Sequence, residues 1–473
     1  MRQTKIVATI SDLRCDIEFI KSLYNAGMNV ARINTAHMTT ESAKTVVNNI
    51  RTVSDKIAII VDTKGPEIRT CSVQNELEVK EGEKIAFSFS PVSSDMKNVC
   101  VSYEGFVNDL NKGNKILIDD GDIEVTVEEK HKDYLLCNVR NSGTIKKKKS
   151  INVPGVEIEL PSLTDRDKEF IQFAIENKLD FIAHSFVRNK KDVEEVQGIL
   201  DEHNSPIKII AKIENMEGVE NIDEILETAY GVMVARGDLG IELPEAKIPT
   251  VQRNLVRKAI LHKKPVIIAT QMLHSMIEHP HPTRAEVSDV ASAIYMRTDA
   301  IMLSGETAYG KYPVEAIQVM DNIAKEVEPD RDRRYDILIP PLKNEIPAYM
   351  ADSTIKAAKE LKPKAIVTST TTGKTARYLA AYRSNFPVYA KCHSVNAVRE
   401  LALSFGIHAS YLEMKKNKMK IQRAAVQELL NDGILEMEDM IVYVGGRFGE
   451  HAGASFIEIS AVEKLFRLPS DIK

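Results

Sequence analysis

Eight short apolar runs, most of them followed by a stretch of helical periodicity, constrain this chain more than any other feature. They are KIVATI (5–10), NVARIN (29–34), KIAIIVD (56–62), FIAHSFV (181–187), IKIIAKIE (207–214), GVMVARGD (231–238), KPVIIATQM (264–272) and AIMLSG (300–305). Runs this short and this rich in β-branched residues read as buried strands. The segments between them, such as DVEEVQGILDEH (192–203) and VQRNLVRKAILHK (251–263), repeat apolar residues at helical spacing. Alternating strands and helices imply a parallel sheet, and eight such units predict a closed (β/α)8 barrel. An open doubly wound sheet is the alternative, with less support because no GxGxxG follows the first run.

Residues 68 to 161 break the rhythm. They alternate with period two, as in IEVTVEE (123–129), and are punctuated by Gly and Asp. This predicts an inserted small all-β domain, a β-barrel lid beside the open face of the main barrel. The charged, proline-rich EPDRDRRYDILIPPLKNEIP (328–347) marks a second boundary. Beyond it, strands are expected near 365–370, 388–392, 439–445 and 456–462, in an open α/β domain. The expected division is therefore a barrel domain at 1–67 and 162–335, the insert at 68–161, and a C-terminal α/β domain at 336–473.

Composition excludes several classes. With 473 residues, 43% hydrophobic and 28% charged, the chain suits two or three ordinary globular domains. A net charge of −5 gives no basic footprint for nucleic acid. The five cysteines are scattered without a CxxC, as expected of reduced thiols in the cytoplasm. No apolar stretch reaches the roughly 18 residues of a membrane span, and the first strand begins too early for a signal peptide.

Chemistry gathers where the runs end. Lys212 and Glu214 are two residues apart, hence on one face of a strand and about 7 Å from each other. As a rim salt bridge the pair would contribute only about 0–1 kcal/mol. But Arg32, Asn34, Asp62, Ser185, Arg236, Asp238, Thr270 and Ser304 also sit at run ends, and a barrel brings those ends to one face. Polar groups converging from so many strands point to a site. Glu214 and Asp238 offer hard oxygen ligands suited to Mg²⁺ or Mn²⁺ completed by substrate and water. Gly237 lets backbone approach a ligand, and a helix starting there would present N–H groups to an anion. Arg32 is a fork for phosphate or carboxylate, and Lys212 a compact charge for a transferring group. These residues ask for a substrate bearing phosphate and carboxylate, with phosphoryl transfer or enolate chemistry.

At this level the chain resembles the pyruvate kinase family. The resemblance rests on GMNVARIN (27–34), DTKGPEIRT (62–70), IIAKIENMEGV (209–219), VARGDLGIEL (234–243), ATQML (269–273), HPTRAEVSDVA (281–291) and IMLSGETAYGKYP (301–313). It implies transfer of the phosphoryl group of phosphoenolpyruvate to ADP in a cytoplasmic homotetramer. By position, it implies that Lys212 stabilises the phosphoryl group in transit and that Glu214 and Asp238 bind the divalent metal. Gly237 and Thr270 would hold the substrate carboxylate, with Thr270 where the enolate is protonated, and Arg32 would contact phosphate. Asn34, His37, Arg69 and Lys149 fall at the nucleotide. Asn34, Asp62 and Thr63 match ligands of K⁺.

Three places depart from the family's pattern. Ala36 in RINTAH replaces a serine whose hydroxyl helps bind K⁺; Ser11 and Asp12 replace a Gly-Pro near the adenine; His274 stands where an acid is frequent. Glu67 is retained where a lysine can stand in for the ion, so a carboxylate without a built-in cation is expected there, and with it a requirement for K⁺. The loop in AIVTSTTTGKTARYLAAY (365–382) narrowly misses a P-loop, since Thr368 stands at the first glycine. It reads either as a threonine-capped helix or as an effector phosphate pocket made by Thr370, Thr371, Thr372, Gly373, Lys374 and Thr375, the latter being the family's regulatory site. Another phosphoenolpyruvate enzyme on the same barrel and a non-catalytic ligand sensor are the competing functions. The joint presence of Lys212, Glu214, Asp238 and Thr270 argues against the sensor.

Overall fold

Eight parallel strands close into a barrel in chain order: Lys5–Thr9, Val30–Asn34, Ala58–Asp62, Phe181–His184, Lys208–Ile213, Gly231–Ala235, Val266–Ala269 and Ala300–Leu303. The computed structural model describes residues 2–71, 76–90, 96–330, 345–447 and 453–466. The boundary expected at 335/336, and most of the charged segment before it, lie outside the described residues. Several strands stop short of the apolar runs at their C-terminal ends, because the polar residues there have already left the sheet.

The alternation of each strand decides what the barrel holds. Val7, Val30, Ala58, Ile60, Phe181, Ala183, Ile210, Met233, Ile267 and Met302 fill its interior. Their neighbours, among them Ile6, Ala31, Ile59, Ile182, Ile209 and Ile213, pack outward on the helices. Continuing the inward parity of each strand by one or two steps reaches Thr9, Arg32, Asp62, Ser185 and Lys212. The polar ends therefore sit above a dry plug of side chains. Leu403, from the C-terminal region, joins the same interior cluster at the opposite end. Surrounding helices start where the sequence supplies caps: Thr39, Thr164 and Thr283 each close a capping box, with Ser42, Asp167 and Glu286.

Among the described residues, the insert is all-β apart from one helical turn, Phe106–Asp109. Seven strands form one sheet whose outer members are Ile68–Arg69 and Asn98–Cys100, and an antiparallel bridge between Thr70 and Val101 joins those two edges. Its core is its own, built on Ile85, Phe87, Val99, Phe106, Ile116 and Val125.

The C-terminal region is a five-stranded sheet in the spatial order Ile407–Tyr411, Val388–Cys392, Ala365–Thr370, Met440–Arg447, Gly453–Ala461, with only the last strand antiparallel. The strand Ile407–Tyr411 was not expected. It is an edge strand reading IHASY, with one fully buried residue, so it lacks the apolar run that marks the others. A buried bidentate pair, Arg383 with Asp299, locks this region to the barrel; Asp299 also accepts the Val266 and Phe405 N–H groups at 3.0 Å each.

Candidate active site

Lys212 is the hub of the open face. Its Nζ lies 3.1 Å from Asp62 Oδ1 and 2.9 Å from Glu214 Oε1, and donates to Ser185 Oγ at 2.7 Å. Burial alone would lower the ammonium's pKa, but Asp62 and Glu214 outweigh it and hold it above the ordinary lysine value. Lys212 is therefore charged at neutral pH. Asp62 is shared, its Oδ2 accepting Arg32 Nε at 2.5 Å, while Arg32 Nη1 donates to Thr9 Oγ1 at 3.0 Å. Burial works to raise Asp62; Arg32 and Lys212 pull it below the usual carboxylate range. Ser185, read from sequence only as a polar strand end, holds both Lys212 and the Thr63 carbonyl.

Glu214 is 2% exposed, and its Oε2 accepts the Phe186 N–H at 2.7 Å. Asp238 is in hydrogen-bonding contact with it, and burial together with repulsion from Glu214 pushes Asp238 up to about 7. Two sequestered carboxylates in contact are short of positive charge, which is the donor set a divalent cation suits. No cluster of three or more His, Cys, Asp or Glu among the described residues is placed to hold a metal. The remaining positions would fall to substrate oxygens and water, as Mg²⁺ prefers.

One local expectation is corrected. The run 231–238 does not carry Arg236 and Asp238 on a strand end: the strand stops at Ala235 and Arg236–Glu242 is helical. Arg236 turns the chain by donating to both Asp289 oxygens at 2.7 Å and to the Thr270 carbonyl at 2.6 Å. Asp238 thus arrives on a first helical turn. Thr270 has φ +66°, a left-handed conformation that is costly for a β-branched residue and persists only where neighbours enforce it. Its Oγ1 accepts the Gly237 N–H at 2.9 Å and donates to the Ala269 carbonyl at 2.7 Å. A Cβ at Gly237 would meet nothing closer than 3.6 Å, so protein packing does not demand the glycine. Asp289, which fixes this corner, lies in the stretch HPTRAEVSDVA but was given no role from the sequence.

The remaining predicted residues are spread over the barrel and the insert. Asn34 pairs in register with Asp62 and its Oδ1 accepts the Ala36 N–H at 3.1 Å; His37 is exposed. Thr63 Oγ1 accepts the Ser185 N–H at 3.0 Å. Gly65, at φ +73°, permits this contact, since a Cβ there would press on Phe186 and Ser185 at 2.7 and 2.8 Å. Lys149 pairs with Asp119 at 2.8 Å. The expectation that Glu67 lacks a cation is wrong: Arg69 Nη2 lies 2.6 Å from Glu67 Oε2 and Lys64 Nζ 3.7 Å from it. Glu67 and Arg69 are two apart at the start of the short strand Ile68–Arg69, and that spacing was the available signal. Ser11 donates to the Ala308 carbonyl at 2.5 Å, and His274 opens a short 3₁₀ turn. A cleft of about 300 Å³ runs between Glu67 and Ile151 of the insert side and Glu214 and Asp238 of the barrel.

In the C-terminal region, Thr370 Oγ1 accepts the Gly373 N–H at 2.9 Å, and Gly373, at φ +74°, begins the helix Lys374–Ala381. Thr371 and Thr372 are exposed, Thr375 is buried, and Lys374 lies 3.3 Å from Glu345. A cavity of about 510 Å³ opens between Thr371, Thr372 and Arg377 on this side and Lys208 and Lys264 of the barrel.

Phosphoryl transfer asks a protein for positioned charge more than for covalent chemistry. The barrel's open face supplies that charge beside the β insert, and fold and site together define a barrel phosphotransferase. Residues 1–317 match the family model described as pyruvate kinase, barrel domain, and residues 349–460 that described as pyruvate kinase, alpha/beta domain. The chain belongs to the pyruvate kinase family. It is 46% identical over 475 residues to a pyruvate kinase of Borreliella burgdorferi, covering 98% of each chain. To one of Bacillus licheniformis it is 44% identical over 473 residues, covering 98% of this chain and 81% of that one. A crystal structure of a pyruvate kinase from Cryptosporidium parvum superposes with a TM-score of 0.92 at 34% identity, over 98% of this chain and 96% of the other. The family transfers the phosphoryl group of phosphoenolpyruvate to ADP in glycolysis, and its members generally need a divalent metal and K⁺.

Proposed function

We propose that this chain makes pyruvate and ATP from phosphoenolpyruvate and ADP at the face where Lys212, Glu214 and Asp238 meet. The observation that carries the reading is the buried Lys212 ammonium, set between Asp62 and Glu214 beside a second acid, Asp238. Glu214 and Asp238 would hold Mg²⁺ or Mn²⁺, which supplies positive charge to the substrate's anionic oxygens when bound. Arg32 and Lys212 face the phosphoryl group from opposite sides of Asp62, so charge developing on it in flight meets fixed, desolvated cations. The Gly237 N–H and Thr270 grip the substrate carboxylate, and Thr270 lies where the enolate takes up its proton. Arg69 and Lys149, with Asn34 and His37, reach the nucleotide once it draws them from Glu67 and Asp119. Asn34, Asp62 and Thr63 provide oxygens for K⁺.

On this reading the chain divides at 67/68, 161/162 and 335/336, and works as a cytoplasmic homotetramer. A phosphorylated effector docks at residues 370–375, beside the cavity that Arg377, Lys208 and Lys264 make cationic. No helix among the described residues is long and apolar enough to cross a membrane. The test is a coupled assay of pyruvate formation from phosphoenolpyruvate and ADP, with and without Mg²⁺ or Mn²⁺. Metal-dependent turnover supports the assignment, and its absence at any metal concentration rejects it.

A further inference from the structure

The insert closes on itself along one seam, and two thiols face each other across it. At the Thr70–Val101 bridge, the Cys71 N–H donates to the Cys100 carbonyl at 2.8 Å and the Ser102 N–H to the Arg69 carbonyl at 2.9 Å. This pattern places Cys71 directly opposite Cys100 in a hydrogen-bonded antiparallel position, where Cα atoms lie about 5.5 Å apart and side chains share a face. Disulfides span Cα separations of roughly 4.4–6.8 Å. Both cysteines are half-buried; the Cys100 thiol neighbours that of Cys71 and itself donates to the Phe89 carbonyl at 3.2 Å. By contrast, Cys137 and Cys392 are buried, and Cys15 lies on the barrel far along the chain from either.

We propose that Cys71 and Cys100 form a modifiable dithiol, which a hydroperoxide converts into a disulfide across the seam of the lid. Burial and the neighbouring Cys100 thiol push Cys71 up to about 11, so Cys71 keeps its proton at neutral pH. One of the two thiols takes one peroxide oxygen, giving a sulfenic acid and releasing water. The sulfur of the other then displaces the sulfenic oxygen as a second water. Two thiols lose two electrons and two protons, and hydrogen peroxide becomes two waters. In a reducing compartment such a bond is transient, and a small thiol reverses it.

The consequence follows from what the seam carries. Thr70 is tied to the lysine-rich segment through the Lys146 carbonyl at 2.7 Å and the Lys149 N–H at 2.9 Å, and Arg69 is the next residue back. A disulfide at Cys71 pins this strand one residue from those bonds. It acts on the side of the cleft assigned above to the nucleotide, on which assignment this consequence rests, and leaves the barrel residues Lys212 and Thr270 alone.

The experiment treats the full-length reduced protein with hydrogen peroxide, counts thiols after denaturation, and maps cross-linked peptides by mass spectrometry. Two of the five thiols should disappear, restored by dithiothreitol, with Cys71 joined to Cys100. Cys71→Ser and Cys100→Ser should each prevent the link. In the oxidised wild type the KM for ADP should rise by roughly threefold or more while that for phosphoenolpyruvate stays constant, and neither serine variant should respond. A different cysteine pair, or equal thiol loss in the variants, overturns the site. A Cys71–Cys100 link with unchanged ADP dependence overturns its coupling to the nucleotide. Lack of pyruvate formation by the reduced protein would count against the kinase assignment instead, and the thiol count would still be readable.

Discussion

The guanidinium of Arg69 grips the carboxylate of Glu67, with Nη2 2.6 Å and Nε 2.8 Å from Oε2. While Arg69 stays on it, Glu67 is partly neutralised from within the chain, so the demand for K⁺ should be weakest before nucleotide draws Arg69 away.

Activation by K⁺ should persist through Asn34, Asp62 and Thr63, with reduced affinity because Ala36 brings no hydroxyl. Ala36→Ser should lower the half-activating K⁺ concentration by roughly fivefold, the equivalent of about 1 kcal/mol for one added polar contact. Turnover against KCl, at ionic strength held constant with a bulky inert cation, is the measurement. Superimposable curves for the two proteins would remove Ala36 from the ion site.

Lys212→Met should lower kcat by roughly 10²–10³-fold, the scale of losing one preorganised charge partner in the transition state. Mn²⁺ binding, read by electron paramagnetic resonance, should survive, since Glu214 and Asp238 remain. Near-normal turnover would contradict the role given to this lysine. Melting should also fall, because Asp62 and Glu214 are 1% and 2% exposed and would lose their shared cation.

Glu214→Gln should raise the metal concentration required for half-maximal activity, as one anionic ligand is lost. The same pair predicts a pH effect in metal-free protein. Asp238 titrates at about 7 when folded, well above an unfolded aspartate. The native state then binds more protons between about pH 4 and 7, so this group's contribution to stability is present at the acid end and is lost as pH rises toward 7. Saturating Mg²⁺ should flatten that slope, and Glu214→Gln should shrink it. Thermal melts from pH 5 to 8, with and without Mg²⁺, decide the matter; identical profiles for wild type and variant would dissociate the two carboxylates.

A screen of sugar phosphates and nucleotides should find one that shifts the half-saturating phosphoenolpyruvate concentration. Lys374→Ala combined with Thr372→Ala should abolish that response while basal turnover holds. Thr372 is exposed, whereas Thr375 is 5% exposed, so altering Thr375 would mix regulation with packing. If no phosphorylated metabolite has any effect, the loop is only the start of a helix.

Arg383→Ala should destabilise the protein by about 3–5 kcal/mol, the cost of leaving Asp299 charged and buried without its partner. The loss should appear in chemical denaturation, and Asp299→Asn combined with Arg383→Met should recover much of it. An effect below about 1 kcal/mol, the range of surface pairs, would mean that the contact between barrel and C-terminal region opens freely.

By itself the sequence determined the barrel, the inserted β domain and the open α/β region, because burial writes its own periodicity. A strand packed on both faces must be mostly apolar, and each of the eight runs is, with its polar residues gathered mainly toward the ends. Their places at the C-terminal ends of the runs then carried Arg32, Asp62, Lys212 and Glu214 to one face of the expected barrel. What the sequence could not decide depends on which way side chains turn and on partners distant in the chain. Glu67 looked unbalanced until Arg69 was seen to fold back onto it. Asp238 read as a strand-end residue, with a helix starting there only one option, until Arg236, caught by Asp289 and by the Thr270 carbonyl, was seen to begin that helix. The strand Ile407–Tyr411 went unseen because an edge strand is held by backbone hydrogen bonds to one neighbour, which leave little trace in side-chain pattern. Cys71 and Cys100 read as scattered thiols until the lid closed and set them opposite each other. Periodicity is a local property that a chain displays residue by residue, whereas charge balance, turns and cross-strand pairs arise only when the fold brings separate segments into contact.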